Sequence, residues 1–136
     1  MEGFTKLTLA AAVTLAMAGA AYAADMKVTL AGDQEVPPVT TQAKGTGTVV
    51  IGDDGAVSGI ITTAGVTGTA AHIHQAAAGK NGPVIVPMVK SGDTGWTFPP
   101  GAKLTPDQMN ALKAGELYIN VHSAANPGGE IRGQIK

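Results

Sequence analysis

The chain has 136 residues, with nine Lys and Arg against ten Asp and Glu, and no cysteine. This length fits one ordinary domain. Binding to a phosphate backbone relies on Lys and Arg, so the near-neutral charge argues against nucleic acid as a partner. The lack of cysteine in the sequence excludes a disulfide scaffold, a thiol nucleophile and any metal site built on thiolates.

Residues 1–23 have the composition of an export signal. Lys6 precedes an apolar run over residues 7–20, and residues 21–23 (Ala-Tyr-Ala) supply the small side chains of a signal-peptidase site. The run is too short to span about 30 Å of hydrocarbon. We therefore predict a signal peptide over residues 1–23, one domain over residues 24–136, no membrane span after cleavage, and a periplasmic or secreted protein.

Seven short segments of residues 24–136 show the alternation and the β-branched composition that are typical of strands. Turns rich in Gly, Pro and Asn separate them, as in sandwiches and barrels. The fold class predicted is therefore all-β, and we expect Trp96 and Phe98 to pack in its core. The predicted strands are residues 26–30, 46–51, 56–63, 70–75, 83–89, 117–122 and 130–135.

Residues 105–114 are predicted to form one short helix between two strands. Thr105 is a suitable N-cap, Pro106 suits the first helical position and Gln108 completes a capping box. Gly115 then ends the helix.

The three histidines follow a pattern that favours a metal site. His72 and His74 are two residues apart in a predicted strand, so both rings lie on one face. His122 lies in a later strand, on the face that Tyr118 and Asn120 share and opposite its apolar residues. All three rings are thus predicted to point away from the core, on the outer face of the sandwich.

Imidazole nitrogen is a good ligand for copper and for zinc, and copper stands highest in the divalent affinity series. We therefore predict one copper ion held by His72, His74 and His122, with zinc as the alternative. Met88 offers a thioether that favours Cu(I), but a methionine in an apolar strand usually packs in the core. Because the ligands are neutral rings, binding should weaken as the pH falls through about 6.5.

Other polar residues give weaker signals for chemistry, and no catalytic residue is predicted. The serines of residues 24–136 lie outside any nucleophile-elbow motif. Glu130 and Arg132 are two apart in a predicted strand, which predicts a solvated ion pair. Tyr118 and Asn120, on the face of His122, are expected to supply hydrogen bonds to the ligands.

Three segments closely resemble the CHRD domain, first described in chordin. They are residues 71–85 (AHIHQAAAGKNGPVI), 115–122 (GELYINVH) and 126–135 (NPGGEIRGQI), and residues 32–38 (GDQEVPP) match the opening of many such domains. The similarity covers about residues 28–135, so residues 24–136 are identified as a CHRD domain. The resemblance implies an extracellular or periplasmic, immunoglobulin-like antiparallel β-sandwich.

A more distant similarity is to copper/zinc superoxide dismutase, a sandwich that takes copper ligands from an H-x-H strand and a later V-H strand. His72 and His74 match the first motif, and Val121 with His122 matches the second. The sequence has no counterparts of that family's bridging histidine, zinc ligands or disulfide cysteines, and Arg132 is offset from its active-site arginine. The resemblance implies a superoxide-dismutase-like sandwich with a copper site, but not dismutase activity.

Three functions fit these residues. The leading hypothesis is an exported protein that binds copper through His72, His74 and His122, for storage, delivery or protection from copper stress. The alternative is a metal-free interaction module whose outer face binds a protein partner or forms a homodimer. The third is a copper redox enzyme that uses the same histidines with an open coordination position.

Overall fold

The computed structural model describes residues 24–136, so the predicted signal peptide over residues 1–23 lies outside the described residues. This range contains nine strands, one α-helix, α1 (Pro106–Lys113), and one 3-10 turn (Gly32–Gln34). The strands are β1 (Ala24–Ala31), β2 (Lys44–Ile51), β3 (Val57–Ala64), β4 (Gly68–Gln75), β5 (Val84–Pro87), β6 (Val89–Ser91), β7 (Gly95–Thr97), β8 (Leu117–Ser123) and β9 (Ile131–Gln134).

The nine strands of this range join one antiparallel sheet in the order β5-β4-β8-β9-β1-β2-β3-β7-β6. The two end strands, β5 and β6, follow each other in the chain with only Met88 between them. The sheet therefore curls until it is nearly closed, and it encloses the core as a sandwich does. The prediction of an all-β, antiparallel fold with one short helix is confirmed.

The core is one cluster of buried aliphatic side chains, because alternate residues of the long strands point inward. Trp96 is buried within this cluster and Phe98 packs against it partly buried, as the sequence predicts. Met88 is also a core residue. Its thioether therefore packs on the opposite side of β4 from the histidines, which alternate with core residues on that strand.

The strand count differs from the predicted seven in two places. The segment predicted as one strand over residues 83–89 changes partner at Met88, whose amide donates to the Ala71 carbonyl on β4 at 2.9 Å. From Val89 onward the chain pairs with β7 instead, so the segment forms two strands. β7 has only three residues, and a strand this short cannot be recognised from alternation of apolar and polar residues.

The predicted helix is confirmed, together with its capping box. Thr105 Oγ1 accepts a hydrogen bond from the Gln108 amide at 3.2 Å, and Gln108 Oε1 accepts one from the Thr105 amide at 2.9 Å. Pro106 occupies the first helical position. Gly115, just past the helix, has a φ of +75°, which glycine adopts without a steric penalty.

We expect Thr105→Ala to lower the free energy of unfolding by about 1 kcal/mol, because the substitution removes the acceptor for an otherwise unsatisfied helix amide. Chemical denaturation monitored by circular dichroism measures this loss. Thr105→Ser keeps the hydroxyl and should be close to the wild type. An equal loss in both variants would contradict the capping role.

Candidate metal centre

The register between β4 and β8 brings the three histidines together. The two strands are antiparallel neighbours in which His72 lies opposite Asn120 and His74 lies opposite Tyr118. His122 is two residues beyond Asn120 on β8, so it lies diagonally next to His72. The predicted adjacency of these residues on one face is therefore present in the fold.

The three rings form a compact group. The His72 and His122 ring centroids are 4.9 Å apart, and those of His72 and His74 are 5.5 Å apart. The ring nitrogens that face one another all lie within 4.8 Å. His72 Nδ1 and His122 Nε2 are 3.1 Å apart and form a hydrogen bond. Two nitrogens each about 2.05 Å from one tetrahedral ion are about 3.3 Å apart, so the two rings need little movement to share an ion.

Main-chain carbonyls fix the orientation of two of the rings. His74 Nδ1 donates to the Gly82 carbonyl at 3.0 Å, and His122 Nδ1 donates to the Pro127 carbonyl at 2.8 Å. Carbonyl oxygens only accept hydrogen bonds, so both Nδ1 atoms carry the proton and both Nε2 atoms keep a lone pair. The lone pair is the part of imidazole that binds metal.

The Nε2 atom of His74 is buried and has no hydrogen-bond partner within residues 24–136. A buried polar atom without a partner is rare in native proteins, and a metal ion is one group that could supply the partner. Together with the fixed tautomers, this orphaned nitrogen shows that the three-histidine group is suited to hold a metal ion.

The histidine face is covered rather than solvent-exposed, which corrects the predicted outer surface. His74 is only 8% exposed, and His72 and His122 are half-buried. The loop over residues 76–83 and the loop over residues 124–130 fold back onto this face and supply the Gly82 and Pro127 carbonyls. The loops cover this face because their main-chain groups and the polar side chains of the sheet provide hydrogen-bond partners for each other.

Tyr118 supports His74 by stacking instead of by the hydrogen bond that the sequence predicts. The two rings are parallel to within 3° and their centroids are 4.8 Å apart. The Tyr118 hydroxyl accepts from the Gly82 amide at 3.1 Å. Gly82 therefore holds Tyr118 through its amide and His74 through its carbonyl.

Gly82 was not among the predicted site residues, because it contributes no side chain. A Cβ built at this position would lie 1.8 Å from the Gln75 carbonyl oxygen, so the loop passes too close to β4 for any larger residue. The Asn81-Gly82-Pro83 sequence indicates a turn. Nothing in it reveals that the turn carbonyl accepts from a histidine of the preceding strand.

The predicted solvated ion pair between Glu130 and Arg132 is wrong, since both residues are buried and each has other partners. Glu130 precedes β9 and accepts hydrogen bonds from Ser123 Oγ at 2.7 Å and from Thr41 Oγ1 at 2.8 Å. Arg132 instead stacks on the Tyr118 ring, with Cζ 3.4 Å from the centroid. The covering loops explain the difference, because they bury a face that the sequence pattern leaves open.

Burial lowers the pKa of His72 and of His74 below the ordinary value of 6.5. For His72, the neighbouring rings of His122 and His74 lower the pKa further, because a proton on one ring repels a proton on the next. For His74, the hydrogen bond to Gly82 and the nearby Asn120 side chain oppose the shift without reversing it. Both rings are therefore neutral at pH 7, the state that coordinates metal.

The fold and the site define an all-β domain that carries a covered three-histidine group next to its sheet. The sequence model of the CHRD domain matches residues 26–135, which is most of the chain. The chain therefore belongs to the CHRD domain family. Comparison with curated proteins and with solved structures gave no significant match. Among residues 24–136, no helix has the length and apolar character needed to cross a bilayer.

The hydrogen bonds to Glu130 predict an acid-sensitive stability. The bonds from Ser123 and Thr41 hold the pKa of Glu130 below its ordinary value of 4.5. Its stabilisation is therefore complete above pH 4.5 and is lost as the pH falls through the lowered pKa of the folded state. We expect Glu130→Gln to reduce the free energy of unfolding by about 2 kcal/mol at pH 7.

Urea denaturation between pH 3 and pH 7 tests this expectation. The difference between the wild type and Glu130→Gln should shrink toward the acid end of the range. A constant difference would show that the charge of Glu130 is not its stabilising feature.

Proposed function

We propose that this protein is an exported copper-binding protein that holds one copper ion between His72, His74 and His122. The observation that carries the proposal is the group of three ring nitrogens, one from each histidine, that lie within 4.8 Å of one another. It is supported by the buried Nε2 atom of His74, which has no hydrogen-bond partner among residues 24–136. Burying such an atom without a partner costs about 1–3 kcal/mol. A metal ion removes this cost, because it accepts the lone pair.

The donor set favours copper over other metals. It consists of imidazole nitrogens, and the sequence contains no cysteine that would favour a thiolate zinc site. Hard ions such as Mg²⁺ and Ca²⁺ prefer oxygen ligands. Copper exceeds zinc in the divalent affinity series, and the H-x-H and V-H motifs resemble the copper ligands of copper/zinc superoxide dismutase. Zinc is the competitor that an experiment must compare.

The residues around the ligands supply orientation and exclude water. The Gly82 and Pro127 carbonyls fix the tautomers of His74 and His122, and Tyr118 shields one face of His74. Such pre-set geometry raises affinity, because little freedom is lost on binding. Storage, delivery or protection from copper stress requires only this binding. We propose no reaction.

The export of the protein is part of the proposal and rests on two observations. CHRD domains are typically extracellular or periplasmic, and the domain match starts at residue 26, shortly after the predicted signal peptide ends. Outside the cytoplasm, free copper has fewer competing thiol ligands, which suits a site made of imidazoles.

Titration with Cu(I), Cu(II) and Zn(II) of the wild type and of a His72→Ala, His74→Ala, His122→Ala triple variant tests the metal site. We expect the wild type to bind one copper ion, more tightly than zinc, and the triple variant to lose this binding. Each single substitution should weaken binding by at least about tenfold.

Lys80→Ala is the matched control, since Lys80 is exposed on the covering loop and its side chain is not a metal ligand. The control should bind as the wild type does. Equally weak binding by the wild type and the triple variant would overturn the metal site. The alternative of a protein-interaction module would then be tested with substitutions of the exposed residues Ile60, Val84 and Val89.

The lowered pKa values of His72 and His74 predict the pH dependence of binding. A proton competes with the metal for each ring, and a lowered pKa weakens that competitor. We therefore expect copper affinity to stay constant from pH 8 to pH 6.5 and to fall at lower pH. Competition with a chelator at fixed pH steps measures this curve, and a decline that begins above pH 7 would contradict it.

A further inference from the structure

Arg132 is a buried positive charge close to the histidines. It is 1% exposed, although arginine is almost never fully buried without a partner of opposite charge. Its hydrogen bonds within residues 24–136 go to neutral oxygens, namely the Ala77 carbonyl at 3.2 Å, Gln134 Oε1 at 3.1 Å and Asn81 Oδ1 at 3.4 Å. These partners satisfy the guanidinium without neutralising its charge, which interacts with Glu35 but forms no hydrogen bond with it within residues 24–136.

One aromatic ring separates this charge from a metal ligand. His74 lies on β4 and Arg132 on β9, the two strands that flank β8. The Tyr118 ring lies between them, with the His74 centroid at 4.8 Å and the Arg132 Cζ at 3.4 Å. The Arg132 side chain and the Tyr118 ring are both buried, so the field of the guanidinium reaches the ligand with less screening than at the protein surface.

From this stack we infer that Arg132 makes the three-histidine group prefer a singly charged ion, Cu(I), over the doubly charged ions Cu(II) and Zn(II). The inference rests on the proposed function. A fixed positive charge repels a doubly charged ion twice as strongly as a singly charged one at the same distance.

Arg132 is thus a specificity-determining residue that acts through electrostatics and not as a ligand. Its second effect is mechanical, because it holds the loop over residues 76–83 through Ala77 and Asn81. That loop provides the Gly82 carbonyl for His74. The two effects differ in outcome, since a displaced loop weakens the binding of every ion, whereas the charge changes the ratio between ions.

A substitution at Glu35 is expected to have the opposite effect on the ion preference from a substitution at Arg132. Burial raises the pKa of Glu35, whereas the Asn120 side chain and the charge of Arg132 favour its ionised form. Its Oε1 atom is buried and has no hydrogen-bond partner among the described residues. Removing this negative charge leaves the hydrogen bonds of Arg132 intact and makes the surroundings of the site more positive. Glu35→Gln should therefore shift the ion preference further toward Cu(I).

The test is the ratio of Cu(I) affinity to Cu(II) affinity, each measured by competition with a chromogenic chelator, in the purified wild type, Arg132→Met, Arg132→Lys and Glu35→Gln. We expect Arg132→Met to lower the ratio by about tenfold, the effect of one charge about 10 Å away in partly polar protein. Arg132→Lys should keep the ratio, and Glu35→Gln should raise it.

Asn81→Ala is the control for the mechanical effect, because it removes a loop contact of Arg132 without changing any charge. It should shift both affinities together and leave the ratio unchanged. If Arg132→Met does not fold, Arg132→Gln replaces it, because it removes the charge and keeps a polar side chain; an unchanged ratio in that variant overturns the inference.

The same measurements separate the two proposals. Copper binding by the wild type with equal ratios in all variants would overturn the role of Arg132 and leave the metal site standing. A wild type that binds neither copper ion would overturn both.

Discussion

The antiparallel register between β4 and β8 is the constraint on which the core and the histidine group both depend. Strand residues alternate between two faces, so the register that places Ile73 opposite Ile119 in the core also places His74 opposite Tyr118 on the other face. A shift of one residue would exchange the two sets and bury polar rings among aliphatic side chains. The hydrophobic core therefore fixes the positions of the three histidines, although it contains none of them.

The covering loops turn this strand face into a site. Without them, the three imidazoles would be solvated rings on a sheet surface, with free choice of tautomer and rotamer. The loops bury the polar side chains and satisfy most of their hydrogen bonds with main-chain groups, which leaves the Nε2 atom of His74 without a partner. The unpaired atom lowers stability locally, and the burial of the continuous aliphatic core offsets this loss.

The sequence predicts the fold class, the helix with its capping box and the face that carries the three histidines, because these depend on short-range periodicity and local hydrogen bonds. It does not predict the division at Met88 or strand β7, where the chain changes partners over a few residues. It also misassigns Glu130 and Arg132 to solvent. Alternation tells which face a residue occupies, but only tertiary structure tells whether loops cover that face.

The roles of Gly82 and Pro127 could not be predicted for a further reason, since both act through carbonyl groups that every residue possesses. His72, His74 and His122 are recognisable by their side-chain chemistry and spacing. The atoms that orient two of them carry no residue-type signal, and their positions follow from the paths of the loops. Prediction from sequence thus identified the three histidines and missed the carbonyl groups that orient two of them.

The use of main-chain carbonyls as ring anchors also has a consequence for how the protein can diverge or be engineered. Most side-chain replacements in the two covering loops leave the backbone oxygen in place, so the loops can change composition while the imidazole rings keep their orientation. Insertions and deletions are different, because one added or missing residue displaces the oxygen by several ångströms. Loop length, more than loop composition, is the property of this domain that must be kept when the scaffold is redesigned.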